Sequence, residues 1–462
     1  TLSLGLRYEL ETPWTERYNR ISAGFDYGSA FPVKVPGLDL RGGLRFAGVD
    51  GSSNRGGPVD GNNFGPRIGI AWLLTPKTVM RAGYGLFFSQ QSYNTAFLGE
   101  VDSFGAVTPF VGSNDNGATI ANTLRNPFPN GTVPATGASG GLGTLFGNNV
   151  QFYDPARVSP YNQQWQFSIQ RELPWRMLID AAYVGMLSLK QFESFNVNER
   201  PDRFLALGTA ENTRVANPFF GLAPINSTLG AASTIVQSRL WPAYPQFASL
   251  TVNGANTGRA NYHAFMLKVE KRFSHGFGTL MSYTFSKLID NNTTSIVNLR
   301  RYRSISAQDQ TQTLRWAATY APPWKPNSAL IRTLAAGWEF SGFFQFETGT
   351  PLSVTHANGR PLRIKNPKLE GSTADRLGDS RQGNQVLNPY FDITAFQPLP
   401  NQYTITPEPP LLAELRSPSA ASLNVTAMKT FPIYERFKFQ IRMDAIGVTN
   451  TPIFGTPGTN LS

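Results

Sequence analysis

The chain of 462 residues contains no cysteine. That single absence excludes disulfides, thiolate metal sites and thiol nucleophiles. Histidine is scarce too, at three residues, and charged residues make up only 15 %. No stretch approaches the roughly eighteen apolar residues of a membrane-crossing helix, so a helical span is excluded. A β-barrel is not, because each of its strands needs only about 9–11 alternating residues. What the chain has in quantity is glycine (43), proline (34) and aromatic residues (33 Phe, 16 Tyr, 8 Trp), on a modest hydrophobic share of 40 %. This mixture fits a β protein with long loops better than a helical enzyme. The formal charge of +11 admits anionic partners. Lys and Arg are spread through alternating segments instead of clustered, so a nucleic-acid surface is not expected.

Alternation is the dominant pattern. In residues 436–445, Phe437, Phe439, Ile441, Met443 and Ala445 share one parity, and Arg436, Lys438, Gln440, Arg442 and Asp444 share the other. Successive strand side chains point to opposite faces, so this segment has one apolar and one charged face. The pattern recurs in hairpins with tight turns: Phe64–Leu74 with Thr78–Phe88, Tyr161–Glu172 with Met177–Leu187, Tyr262–Phe273 with Phe277–Lys287, Thr311–Tyr320 with Leu334–Glu347, and Ser422–Phe431 with Glu435–Val448. Leu2–Leu10 with Arg20–Tyr27 is a weaker pair, and Leu40–Ala47 stands alone. The total is about 12–13 strands.

The connections over residues 89–160, 188–260, 288–310 and 348–421 are long and rich in Gly, Asn, Pro and Ser. Short turns at one end of the strands and long loops at the other are what a bacterial outer-membrane barrel shows. Aromatic residues near strand ends fit an interfacial belt. Charges of both signs on the opposite face are intolerable against lipid but natural in a wet or plugged lumen. A propeller would repeat every 40–50 residues or so, and the hairpin spacing here is irregular. The expected fold is therefore all-β: an antiparallel transmembrane β-barrel, read as one domain over residues 1–462.

The start lacks a basic, apolar leader, and the end at Gly455–Ser462 is loop-like, so the chain is expected to be a fragment. Four stretches carry a family resemblance. They are Asn63-Phe64-Gly65-Pro66-Arg67 running into Thr78–Gly85, Pro160–Trp165 followed by Gln170–Pro174 and Ala182–Gly185, Asn261–Ala264 through Glu270–Ser274 and Tyr283–Lys287, and Thr449–Gly455. In order and spacing they resemble the C-terminal barrel of TonB-dependent receptors of the Oar-like kind. The resemblance implies a partial wall of a barrel of about 22 strands, with an N-terminal sandwich, a TonB-contacting segment, a plug and a terminal strand lying outside this chain. It also implies the bacterial cell outer membrane as location, and as partners the outer-membrane lipid and lipopolysaccharide, the TonB complex and an unidentified extracellular ligand.

No catalytic constellation is present: there is no HExxH, P-loop or GxSxG, and His263, His275 and His356 are scattered. No enzyme activity, cofactor or metal is expected. The glycine-rich Gly137–Gly143 lacks the strand and helix of a phosphate loop. The lumen-facing candidates are Arg81, Lys268, Glu270, Arg272, Arg315, Glu339, Arg436, Lys438, Arg442 and Asp444, with Arg7, Arg45, Arg67 and Glu347 beside them. They form either a ladder of paired charges or a polar wall that seats a plug and passes solute, and the two are compatible. Loop candidates for ligand binding are Arg300, Arg301 and Arg303, which suit an anion, and Trp241 and Tyr244, which either stack on a ligand or pack the loop on itself. The functional expectation is a ligand-binding transport barrel; a surface adhesion protein that binds polysaccharide or another cell is the alternative.

Overall fold

In the computed structural model the alternating segments form one continuous antiparallel meander. The structure describes all residues except 90–102, 107, 109, 111, 113–117, 121, 130, 133–134, 225–226, 292–301, 325, 368–389, 435 and 462. Eleven strands make the path: β1 (Leu2–Glu11), β2 (Asp60–Thr75), β3 (Thr78–Phe88), β4 (Tyr161–Leu173), β5 (Met177–Asn196), β6 (Ser249–Ser274), β7 (Phe277–Asp290), β8 (Gln312–Tyr320), β9 (Trp338–Glu347), β10 (Ala420–Tyr434) and β11 (Phe437–Ala445). Each pairs with its predecessor and successor, leaving β1 and β11 as the edges of an open sheet. Two short pieces join it: Asn149–Tyr153 runs parallel to the start of β6, and Ser304–Ile305 pairs with the end of β7.

All short connections lie along one edge. At β6–β7 the two-residue loop His275-Gly276 has φ of 53° and 77°, the doubly left-handed turn whose twist matches that of paired strands. The long connections lie along the other edge. Register also climbs across the sheet. Trp72, near the turn end of β2, leads through Met80, Ile169, Ala181, Leu267, Tyr283, Leu314 and Phe346 to Ala421, at the loop end of β10. This steady stagger is the shear that tilts strands in a closing barrel. Trp165 and Gly185 are directly opposed, and a Cβ at Gly185 would meet the indole at 2.3 Å, so glycine lets the ring lie flat over the neighbouring strand.

Four expectations are corrected. Leu2–Glu11 pairs with β2, not with the segment at Arg20–Tyr27. That segment, as Ser22–Ala30, pairs instead with Arg41–Phe46 in a separate hairpin off the wall. The β8–β9 connection holds a short helix α1 (Ala329–Ala335), so β9 begins at Trp338. Finally, β5 and β6 run to 20 and 26 residues, far into segments expected to be loops. At about 3.3 Å per residue, 26 residues reach roughly 85 Å, well beyond a bilayer.

Described residues of four of the long connections are packed into cores. Phe25, Leu44, Phe46, Phe146, Phe219 and Phe247 from three of them close a single apolar core against Leu250 and Val252 of β6. A second core, built on Leu352, Phe391, Phe396 and Leu415, forms within residues 348–419. These cores put two packed bodies along the loop edge of the sheet.

Candidate functional site

Register assigns every wall residue to a face, and the two faces differ in chemistry. On one, Gln170, Asp180, Lys268, Ser282, Arg315, Gln345 and Ser422 stand directly opposite one another across seven strands. On the other face, the row from Trp72 to Ala421 carries no charged side chain, and its polar groups are the Trp72 indole N–H and the Tyr283 hydroxyl. The polar row belongs to a wider charged surface. Arg81 donates to Gln170, and Arg315 Nη1 donates to Gln345 Oε1 at 3.2 Å. Lys268 Nζ lies 3.0 Å from Glu270, Arg315 lies 3.8 Å from Glu347, and Arg442 Nε lies 2.9 Å from Asp444. Thr426 Oγ1 donates to the same Asp444 oxygen at 2.6 Å. These side chains are exposed or half-buried at a hydrated surface, so each pair is screened and contributes little to stability. What they provide is a hydrated, two-signed surface.

Most of the sequence-derived lumen set falls on this face. Arg7, Arg67, Arg81, Lys268, Glu270, Arg315, Glu339, Glu347, Lys438, Arg442 and Asp444 all take its parity in the observed register. Arg272 follows Lys271, the last paired residue before the irregularity at the β6 turn. Two members are corrected. Arg45 is in the separate hairpin, where Nη2 donates to Ser52 Oγ at 3.0 Å. Arg436 lies in the turn before β11 instead of on the wall. Asp180 was missed. Its strand neighbours of the same parity, Leu178, Ala182 and Val184, are apolar, so alternation in β5 gave no signal for it. A trough of about 600 Å³ spans β1–β4 where Gly5, Gly69, Gly83 and Gly85 leave the polar face shallow between Arg67 and Arg81.

The loop candidates have other surroundings. Arg300 and Arg301 lie outside the described residues. Arg303 is exposed and borders a cavity of about 770 Å³ with Arg259, Asn256 and Asn291. Trp241 stacks on Phe204 at 4.7 Å between ring centroids. Tyr244 packs edge-on against Phe25 at 5.2 Å, and its hydroxyl donates to Tyr27 O at 3.3 Å. Both aromatics thus pack the loops on themselves. Burial pushes the phenols of Tyr27 and Tyr244 up, with nearby acids adding to the effect. His263 lies within β6, and its Nδ1 is 2.7 Å from the Tyr183 hydroxyl. Among the described residues no group of three or more His, Asp or Glu is placed to hold a metal.

The sequence profile of the outer membrane β-barrel domain matches residues 1–462. No curated protein matches. Among solved structures, the outer membrane transporter YddB from Escherichia coli is 10 % identical with a TM-score of 0.39, over 84 % of this chain and 37 % of that one. The FpvA receptor of Pseudomonas aeruginosa, solved with heterologous pyoverdines, gives 10 % and 0.37, over 89 % and 31 %. The FrpB iron transporter from Neisseria meningitidis gives 10 % and 0.35, over 84 % and 35 %. The chain therefore spans about a third of the length of these proteins. With a profile match over its whole length and a staggered meander that separates an apolar face from a charged one, the chain belongs to the outer membrane β-barrel domain family.

Proposed function

We propose that this chain is part of the wall of a ligand-transporting outer-membrane receptor of the TonB-dependent, Oar-like kind. The supporting observation is the polar row from Gln170 to Ser422, which presents hydrogen-bonding groups of both signs across seven strands of an otherwise lipid-suited sheet. Such a face can seat a removable polar plug and, once the plug moves, lead a hydrated solute past successive donors and acceptors. The folded loop edge supplies the ligand-facing side. In this reading the barrel is not an enzyme and takes no cofactor; it works by binding and passage, with energy from the inner membrane through TonB.

The test uses the full-length protein in intact cells. Lys268→Cys and Arg315→Cys on the polar face should react with a hydrophilic, membrane-impermeant maleimide faster when TonB is functional than when it is deleted. Leu267→Cys on the apolar face should stay unlabelled. Polar-face labelling that ignores TonB would replace transport with the adhesion reading.

A further inference from the structure

We propose that the loop edge carries a binding site for a small organic anion, a carboxylate or phosphate borne on a ring body. The site is a cavity of about 420 Å³ between the segment at Trp14, the Arg41–Phe46 hairpin, residues 51–59 and residues 153–157. This volume lies within the range of small-molecule pockets. Arg45, Arg55 and Arg157 line it, and no acidic residue does. Asp26, which acts on Arg45 from outside the cavity, accepts from Gly28 N and Ser29 N, both at 2.9 Å, and Asp154 accepts from Ala156 N at 2.9 Å. Three planar guanidinium forks without a lining carboxylate make a local field suited to an oxyanion.

The site is built, not incidental. Arg157 is only 3 % exposed; its Nη1 donates to Asp154 O at 3.1 Å, and its guanidinium lies 5.5 Å from the Tyr153 ring centroid. Two consecutive glycines give it room. A Cβ at Gly57 would sit 2.8 Å from Arg157 Nη2, and one at Gly56 would meet the Trp14 indole at 2.4 Å. Trp14 is held in register by Gly56 N donating to its carbonyl at 2.9 Å. Its Nε1 is shielded from water and has no acceptor among the described residues. A buried donor without an acceptor is costly, and a ligand oxygen offers one. Trp14, Tyr153 and Ile21 supply apolar surface for the ring, while the exposed Arg45 and Arg55 stand at the mouth.

The proposal does not rest on transport, because binding is read without energised uptake. The full-length protein in detergent micelles is titrated calorimetrically with digalacturonate, with glucose 1-phosphate and with neutral maltose. Binding of either anion, weakening as salt rises and absent for maltose, is expected; which anion binds identifies the carboxylate or the phosphate source. Arg45→Ala and Arg55→Ala alter exposed side chains and leave folding intact, and each should weaken the anion about ten-fold. Arg157→Lys, which keeps the charge but loses the fork, should weaken it as well. Binding of neither anion, equal binding of maltose, or affinities unchanged in both alanine variants overturns the proposal.

Discussion

The wall and the loop edge use the same residues in opposite ways. On the wall, large apolar side chains face outward: Leu4 is 71 % exposed, Trp72 59 % and Phe285 51 %. In the loop cores they are gone from the surface: Phe219, Leu250 and Leu415 are all 0 % exposed. In a water-soluble domain the wall's pattern would be a large aggregation-prone patch. In the outer membrane it is the lipid contact of a barrel band. The loop edge, standing in water, must bury its own apolar residues and builds ordinary cores to do so. The wall is held by the hydrogen-bond ladder and its lipid; the loop edge is held by packing. The two should therefore fail differently.

The largest expected effect is in the packed region. Phe219→Ala leaves a cavity beside Phe146, whose ring centroid lies 6.0 Å away, and should cost about 3–5 kcal/mol. The loop edge should become protease-sensitive while the wall keeps its heat-modifiable mobility on gels. If both fail together, the two regions are a single cooperative unit and the contrast is wrong. Next, Leu267→Lys puts a charge on the apolar face between Ala181 and Tyr283 and should cost about 2–4 kcal/mol in refolding titrations into lipid. Its sequence neighbour, in Lys268→Ala, should change stability by less than about 1 kcal/mol, since its partner Glu270 is screened by water. Equal losses at 267 and 268 would break the assignment of faces.

The wall was legible in the sequence because lipid on one side and water on the other enforce a period of two. Five hairpins appear where they were expected, with their turn ends within a few residues of the expected bounds, for that reason; only the loop ends of β5 and β6 run well past them. Legibility failed where a side chain answers to something other than its face. Lys429 sits on the apolar face, yet its Nζ reaches Leu334 O at 3.1 Å at the end of α1 and lies over the Trp338 ring. Lys271, also on that face, donates to Phe277 O at 2.6 Å and to Ser274 O at 3.0 Å, closing the turn. Both long side chains carry their charge to the strand end, so parity alone misplaces them. The loop cores were illegible for a different cause. They join segments such as Phe46, Phe146, Phe219 and Leu250, which lie 31 to 204 residues apart, and no local period records contacts of that range. The anion-suited cavity shares this origin: Trp14, Arg45, Arg55 and Arg157 come from separate stretches of chain.

The smallest effect bears on how independent the loop edge is. Asp26, in the hairpin that carries Phe25 into the core, accepts from Ser29 N and Gly28 N, both at 2.9 Å, and from Ser29 Oγ at 2.8 Å. These bonds, those to Ser29 and Gly28 backbone foremost, hold its carboxyl below the usual range. A depressed carboxylate contributes stability that is present above the unfolded value of about 3.9 and is lost as pH falls through the lower folded value. Amide-exchange protection of residues 22–46, corrected for intrinsic rates, should therefore drop as pH falls below about 3.9, while the interior strands β4–β7 hold theirs. Asp26→Asn should lower hairpin protection at neutral pH and flatten its acid dependence. If wild type and variant lose protection in parallel, the acid response belongs to other carboxylates, and the turn at Asp26 is not what anchors the hairpin to the core.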